Sequence, residues 1–282
     1  MKLGQIELKT VSGGLCHLDA GTLYGVVPRV LWERKTPPDE KNRIPQQTNC
    51  VVATIDGRNI LIDTGYGSKL PEKQQRNLTS EAGDPLLRNL DAAGFAPEDI
   101  DVVVFSHLHF DHAGGGTCLN ESGEVIPSFP NAEYIAQRRE WVMATSELPE
   151  LRGAYPQENL LPLQASGQLK LIDGNVEILP GLRAIVTGGH TEGHQALLIE
   201  SGGETAVFLG DICGTRMHLP VLWCMAYDTN LMQTRRAKAD LLGEIADHDW
   251  LALLDHDPDH AAVRLSRDDR SDFVASELID VL

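Results

Sequence analysis

Ser106-His107-Leu108-His109-Phe110-Asp111-His112-Ala113-Gly114-Gly115 packs three histidines and an aspartate into six positions. Side chains of these types carry polar groups that need hydrogen bonds or a metal once they are buried. The apolar run at 102–105, immediately before them, has the β-branched character of a buried strand and so sets the string at a strand end. In an extended segment His107 and His109, two residues apart, point the same way. Asp111 and His112 arrive on the following turn, aimed at a neighbouring point, and the glycines let the backbone turn sharply into a helix. Nitrogen and carboxylate donors in this combination suit zinc, iron, cobalt or manganese. The chemistry written here is that of a metal centre.

The elements that must position this string follow an α/β pattern from Cys50 onward. Runs 50–55 and 59–63 are joined by Asp56-Gly57-Arg58, a hairpin signal. Residues 84–93 read as a helix, with Leu86, Leu87, Leu90 and Ala93 at helical spacing and Gly94 as the stop. Further strands are expected at 133–136, 169–172, 176–179, 183–186, 195–200, 205–209 and 250–254, and helices at 138–145, 231–246 and 271–282. Strands paired without helices, alternating with segments that carry one, predict two mixed sheets packed together with helices outside. No composition break divides the chain, so residues 1–282 are expected to form one domain, with 18–47 as an N-terminal arm. Within that arm, Pro28, Pro37, Pro38 and Pro45 argue against a regular helix or central strand across 25–47. Val26, Val27, Val30, Leu31 and Trp32 make it too apolar for a free linker. It could pack on the body, cover the mouth of a site, exchange across a homodimer, or be a structural wrap without functional contacts.

Composition narrows the function. Apolar residues at 42% and charged residues at 23% are ordinary for a soluble globular protein. No window approaches 18 uninterrupted apolar residues, which excludes a membrane-spanning helix, and the first residues show no secretory pattern, so a cytoplasmic location is expected. Cys16, Cys50, Cys118, Cys213 and Cys224 are scattered without a Cys-x-x-Cys pair and are expected as reduced thiols. The net charge of −17 repels phosphate backbones, which argues against a nucleic-acid partner. It also disfavours an anionic substrate unless bound cations reverse the local field. A small neutral ester, lactone or phosphotriester meets no such barrier.

His-x-His-x-Asp-His resembles the hallmark of the metallo-β-lactamase fold superfamily, and the resemblance extends over about residues 50–260. That family has a later Gly-His-Thr-x-Gly-His string, matched by Gly189-His190-Thr191-Glu192-Gly193-His194. It has a Gly-Asp pair ending an apolar strand, matched by Leu209-Gly210-Asp211, and a last histidine after another strand, matched by Leu253-Leu254-Asp255-His256. The resemblance implies an α/β fold, a four-layer αβ/βα sandwich of two mixed sheets with outer helices. It also implies two divalent metal ions, zinc foremost, with iron, cobalt or manganese as alternatives. His107, His109 and His190 would hold one metal, Asp111, His112 and His256 the other, and Asp211 would bridge both. Asp63 matches a position that supports the ligands by hydrogen bonds, and His194 one that orients the ligand loop; His260 rivals His256 for the last ligand position.

The N-terminal segment from Leu18 to Pro45, with His218-Leu219-Pro220 and Met225-Ala226-Tyr227-Asp228, is similar to quorum-quenching N-acyl homoserine lactone lactonases and their organophosphate-hydrolase relatives. The implied reaction opens the lactone ring by attack of a hydroxide shared between the metals, with Asp111 or Asp211 relaying the proton. A phosphotriesterase, another ester or thioester hydrolase, and a metal-binding protein without hydrolytic activity are the alternatives. Several lactonases of this group carry a tyrosine three residues after the bridging aspartate, where this chain has Gly214. Tyr24, His218 and Tyr227 are candidates for the vacant role, and His218 is also weighed as a proton donor. Val26, Val27, Leu31, Trp32, Leu222 and Trp223 would line an acyl groove or, equally well, pack as ordinary core. His17 and His248, with no cluster around them, default to solvated or core roles.

Overall fold

Parity sorts the apolar triplets of the sequence. Ile60 and Ile62, Val102 and Val104, and Leu251 and Leu253 face one central cluster. Leu61 and Val103 face a second cluster, and Ala252 a third. Strands buried on both faces must be apolar at every position, which is why these runs do not alternate. The computed structural model describes residues 1–146 and 148–282.

Seven strands form the first sheet in sequential order: β1 (Lys2–Leu3), β2 (Ile6–Asp19), β3 (Arg43–Ile55), β4 (Arg58–Ile62), β5 (Val102–Val104), β6 (Glu133–Gln137) and β7 (Leu169–Ile172). Seven more form the second: β8 (Val176–Leu179), β9 (Leu182–Val186), β10 (Gln195–Ser201), β11 (Glu204–Phe208), β12 (Leu251–Leu253), β13 (Ala262–Asp268) and β14 (Asp272–Ile279). Both sheets are mixed: β4 to β7 run parallel in the first, and β11 and β12 in the second. The central cluster fills the space between the sheets. Helices Pro85–Ala92, Arg138–Ala144 and Gln157–Ala165 cover the outer face of the first through Leu86, Leu90, Trp141 and Leu160. Helix Leu231–Asp247 covers the second through Leu242 and Ile245. This is the expected αβ/βα sandwich. Fully burying one such leucine or valine contributes roughly 1.5–3 kcal/mol. Among the described residues, no helix is long and apolar enough to cross a membrane.

Local signals set several boundaries. The Asp84 side chain accepts from Leu87 N at 3.1 Å and Pro85 opens the helix, so the predicted start is a capped one. Two expectations fail. Within the expected helix 271–282, residues Asp272–Ile279 form strand β14 instead: Phe273 and Ala275 pack on the outer cluster while Ile279 reaches the central one, and pairing along the whole of β13 outweighs local propensity.

The arm is also shorter than 18–47, since β2 runs to Asp19 and β3 begins at Arg43. Its last residues belong to β3, where Pro45 stands opposite His17 of β2. The ladder with β4 covers only Val51 to Ile55, so the missing proline donor breaks no second ladder. The remainder holds a short helix, Arg29–Trp32, and packs on its own chain: Tyr24, Val27 and Trp32 cluster with Leu23, Ile44 and Met225. Of the six residues expected to line an acyl groove, Val27, Trp32 and Trp223 go to this cluster, and Val26, Leu31 and Leu222 are exposed.

Candidate metal centre

Five strand ends deliver the polar residues to one edge of the sandwich. Asp63 follows β4, Ser106 to His112 follow β5, His190 precedes β10, Asp211 follows β11, and Asp255 and His256 follow β12. They converge as two groups. In the first, His107 Nε2 and His190 Nε2 lie 3.0 and 3.1 Å from His109 Nδ1, and Asp211 Oδ2 is 2.8 Å from His190 Nε2. In the second, His112 Nε2 and His256 Nε2 are 3.1 Å apart, and Asp211 Oδ1 is 3.0 Å from His256 Nε2. Asp211 therefore turns one oxygen to each group. The bridging role implied for it has the matching geometry.

The hydrogen bonds on the outer sides of the rings decide what faces inward. His256 Nδ1 lies 2.7 Å from the Gln47 carbonyl, which can only accept, so this nitrogen donates. His112 Nδ1 lies 2.9 Å from Asp63 Oδ2, and His190 Nδ1 2.9 Å from Asp228 Oδ1. Ser106 Oγ donates to Asp63 Oδ2 at 2.6 Å and so accepts from His107 Nδ1 at 3.1 Å. With their outer nitrogens so engaged, His112 and His256 turn Nε2 to one another at 3.1 Å, and His107 and His190 turn Nε2 to His109 Nδ1 at 3.0 and 3.1 Å. Imidazole nitrogens converging at this spacing beside a shared carboxylate leave their metal-binding atoms aimed at two common points. The donor set fits a dinuclear metal site.

Electrostatics agree. Burial, reinforced by neighbouring histidines, holds His107 and His109 well below the usual imidazole range. Burial also opposes charge on His112 and His190, yet the surrounding carboxylates, Asp211 foremost, raise them to about 9 and about 10. Asp211 is held well below the carboxylate range despite its burial, by His190, His256 and His112. The pocket is built to balance positive charge against Asp211.

Asp111 stands slightly outside the second group, 3.9 Å from His112 Nε2 and 3.8 Å from His256 Nε2, where it also borders a cavity. Asp63, held at φ +58°, accepts from Ser106 N, Ser106 Oγ and His112, the supporting role expected of it. His194 bonds Thr187 Oγ1 through Nδ1 and joins neither group. His260 pairs with Asp280 at 2.7 Å, away from the cluster, and leaves the last position to His256. His218 is a correction. Its Nδ1 bonds Thr215 Oγ1, its Nε2 faces the Leu23 carbonyl, its ring stacks on Tyr24, and it borders no part of the cavity. It is a core histidine rather than a proton donor.

Three buried acids escape a reading of the sequence. Asp228 orients His190 from 38 positions away. Glu140, in a helix where a charged residue reads as surface, accepts from Leu108 N, Tyr155 Oη, Thr191 Oγ1 and Gly193 N, and so ties together the two loops carrying His107, His109 and His190. Asp255 sits wholly buried beside His256. Asp228 had a signal in its place in the segment resembling the lactonases, and Asp255 one in standing beside the last histidine; Glu140 had none.

A cavity of about 380 Å³ opens onto the cluster. Leu18, Leu23, Phe110, Met143, Met225 and Tyr227 line it, and His109, Asp111, His190, Asp211 and His256 border it. A larger groove of about 700 Å³ lies beside Ala237, Gly243 and Arg267, with no ligand group on its walls. Volume alone does not locate the chemistry.

Residues 43–255 match the family described as the metallo-beta-lactamase superfamily. An N-acyl homoserine lactonase of Bacillus cereus is 32% identical over 219 residues, 72% of this chain and 74% of the relative. A probable metal-dependent hydrolase from Staphylococcus aureus superposes with a TM-score of 0.89 at 32% identity, over 99% of this chain and 100% of that one. AidC, a dizinc quorum-quenching lactonase in complex with its product, shares the fold at a TM-score of 0.81 and 21% identity, over 99% and 97% of the chains. The chain is a metal-dependent hydrolase and belongs to the metallo-beta-lactamase superfamily.

Proposed function

We propose that the protein is a lactonase that opens the ring of N-acyl homoserine lactones. The observation that carries this reading is a mostly apolar cavity whose polar border is made of the two ligand groups. An acyl chain packed against Leu18, Leu23, Phe110, Met143 and Met225 would contribute about 0.8 kcal/mol for each buried methylene. The relative from Bacillus cereus, an N-acyl homoserine lactonase by name, supports the same substrate, and the charge of −17 suits a neutral one.

His107, His109, His190 and Asp211 hold one divalent cation in this reading, His112, Asp111, His256 and Asp211 the other, with zinc as the proposed metal. When bound, such a pair supplies Lewis acidity and brings the pKa of water down towards neutrality. The chain's own residues do the rest. Asp111, on the cavity border, holds the proton passed to the ring oxygen as it leaves. Tyr227 is the candidate for the role vacant at Gly214, because it borders the cavity and shares a hydrogen bond with Thr22 Oγ1. Tyr24 is buried and bonded to Thr36, which removes it from contention. A homodimer belongs to the same proposal and rests on the exposed apolar residues Val26, Val30, Leu31 and Leu222.

A pH-drop assay of zinc-loaded protein tests the reading against acyl homoserine lactones, simple γ-lactones and an aryl phosphotriester. Acyl homoserine lactones should be turned over fastest. Turnover of the phosphotriester alone would replace lactonase by phosphotriesterase. Sedimentation of the native protein tests the dimer.

A further inference from the structure

Asp255 is anomalous among the buried acids. Asp63 has three hydrogen-bond donors and Glu140 has four, but neither carboxylate oxygen of Asp255 finds one among the described residues. The residue is 2% exposed. Its surroundings cannot supply what is missing. Thr48 gives its hydroxyl to the Gly14 carbonyl, and Asn49 gives its amide to the Leu254 and Asp257 carbonyls. The crevice these residues form with Asp63, Asp111, His112 and His256 has no room for a water molecule.

The carboxylate instead faces the second ligand group. Asp255 Oδ2 lies 4.0 Å from His256 Nε2 and 4.0 Å from His112 Nδ1, and one oxygen of Asp255 falls within 4.8 Å of ligand atoms of His112, Asp211 and His256. Gly214 makes the space. A Cβ at 214 would stand 3.0 Å from Asp255 Oδ1 and 3.1 Å from His256 Cδ2. The position that carries a tyrosine in several lactonases is thus glycine here where a buried carboxylate occupies the adjoining volume.

We propose that Asp255 is a further ligand of the cation held by His112, His256 and Asp211, reaching it from the narrow crevice, and that Gly214 is the residue that admits it. The inference rests on the dinuclear reading of the site. It adds an anionic oxygen to a position whose other donors are two imidazoles, Asp111 and the shared Asp211, and so makes the second position harder and more tightly held than the first.

The test titrates metal-free protein with Co²⁺ in the presence of a competing chelator, reading stoichiometry, affinity and the visible absorption of the bound ion. Wild type should take up two equivalents. Asp255→Asn should keep the first and bind the second about 10–100-fold more weakly, with a changed spectrum. Gly214→Ala, which removes no ligand but crowds the carboxylate, should shift the same equivalent in the same direction. Combining the two should add little to Asp255→Asn alone. Thermal melts in excess chelator guard against misfolding. Asp255→Asn should melt no lower than wild type there, since it removes an unpaired buried carboxylate, and should gain less on adding metal. Two equivalents bound by Asp255→Asn with unchanged affinity and spectrum would overturn the inference and leave the dinuclear site standing. Fewer than two equivalents in wild type would instead overturn the dinuclear reading beneath it.

Discussion

The two ligand groups share Asp211 but are assembled differently. The first takes His107 and His109 from consecutive outward positions after one strand and adds His190 from a loop of the other sheet. The second joins His112 to His256, 144 positions away, and gathers Asp63, Asp111 and Asp255 around them. Both groups reach the cavity, the first through His109 and His190 and the second through Asp111 and His256, while His112 and Asp255 line the narrow crevice behind it. Imidazole density thus falls on one side and negative charge on the other.

The largest effect should come from the residue the groups share. Asp211→Ala should lower lactone hydrolysis about a thousandfold and leave little metal bound, read by pH-drop assay and elemental analysis. Retained turnover would mean the chemistry lies elsewhere. Splitting the groups comes next. His109→Ala and His256→Ala should each lower hydrolysis by about a few hundredfold while keeping one equivalent of metal. Loss of both equivalents in both variants would show one cooperative centre instead of two positions.

A histidine outside both groups supplies the contrast. Burial and the nearby Lys238 bring His218 down to about 4, so the fold accommodates its neutral form. Its stabilisation is complete above the unfolded value near 6.5 and is lost as pH falls towards 4, a loss of about 3 kcal/mol. Urea unfolding at several pH values should show this slope in metal-free protein, and His218→Gln should flatten it. An unchanged slope would show that the buried neutral form of His218 does not set this pH dependence. The smallest effect probes how the first group is held. Glu140→Ala leaves Leu108 N, Gly193 N and the Thr191 and Tyr155 hydroxyls without their acceptor and should cost roughly 2 kcal/mol of stability. It should weaken metal at the first group and spare the second. Equal weakening would show that the groups are mechanically coupled.

Much of this molecule was legible in one dimension. The strands around 102–105 and 205–209 and the helix at 231–246 lie where their apolar patterns predict, because a continuous apolar run and a helical spacing are both local signals. The ligand strings were legible too, since each sits within a few residues of a strand end. The failures share one cause. Residues Asp272–Ile279 became a strand because β13 offered a ladder, and Pro45 entered one because no neighbour paired on its other side. Strand β2, unread in the sequence, shifts register between Ser12 and Leu15, which breaks the alternation that would have disclosed it.

By itself the sequence determined the chemistry: imidazole and carboxylate donors at strand ends, on a chain whose apolar runs demand burial on both faces. Only the tertiary structure decided which acids serve that chemistry and which histidines do not. Asp228 and Glu140 act through partners 38 and 15 or more positions away, Asp255 is exceptional only for lacking a partner, and His218 is excluded only by having two. Hydrogen bonding and burial of a polar group depend on atoms brought near by the fold, and no local pattern in the chain carries that information.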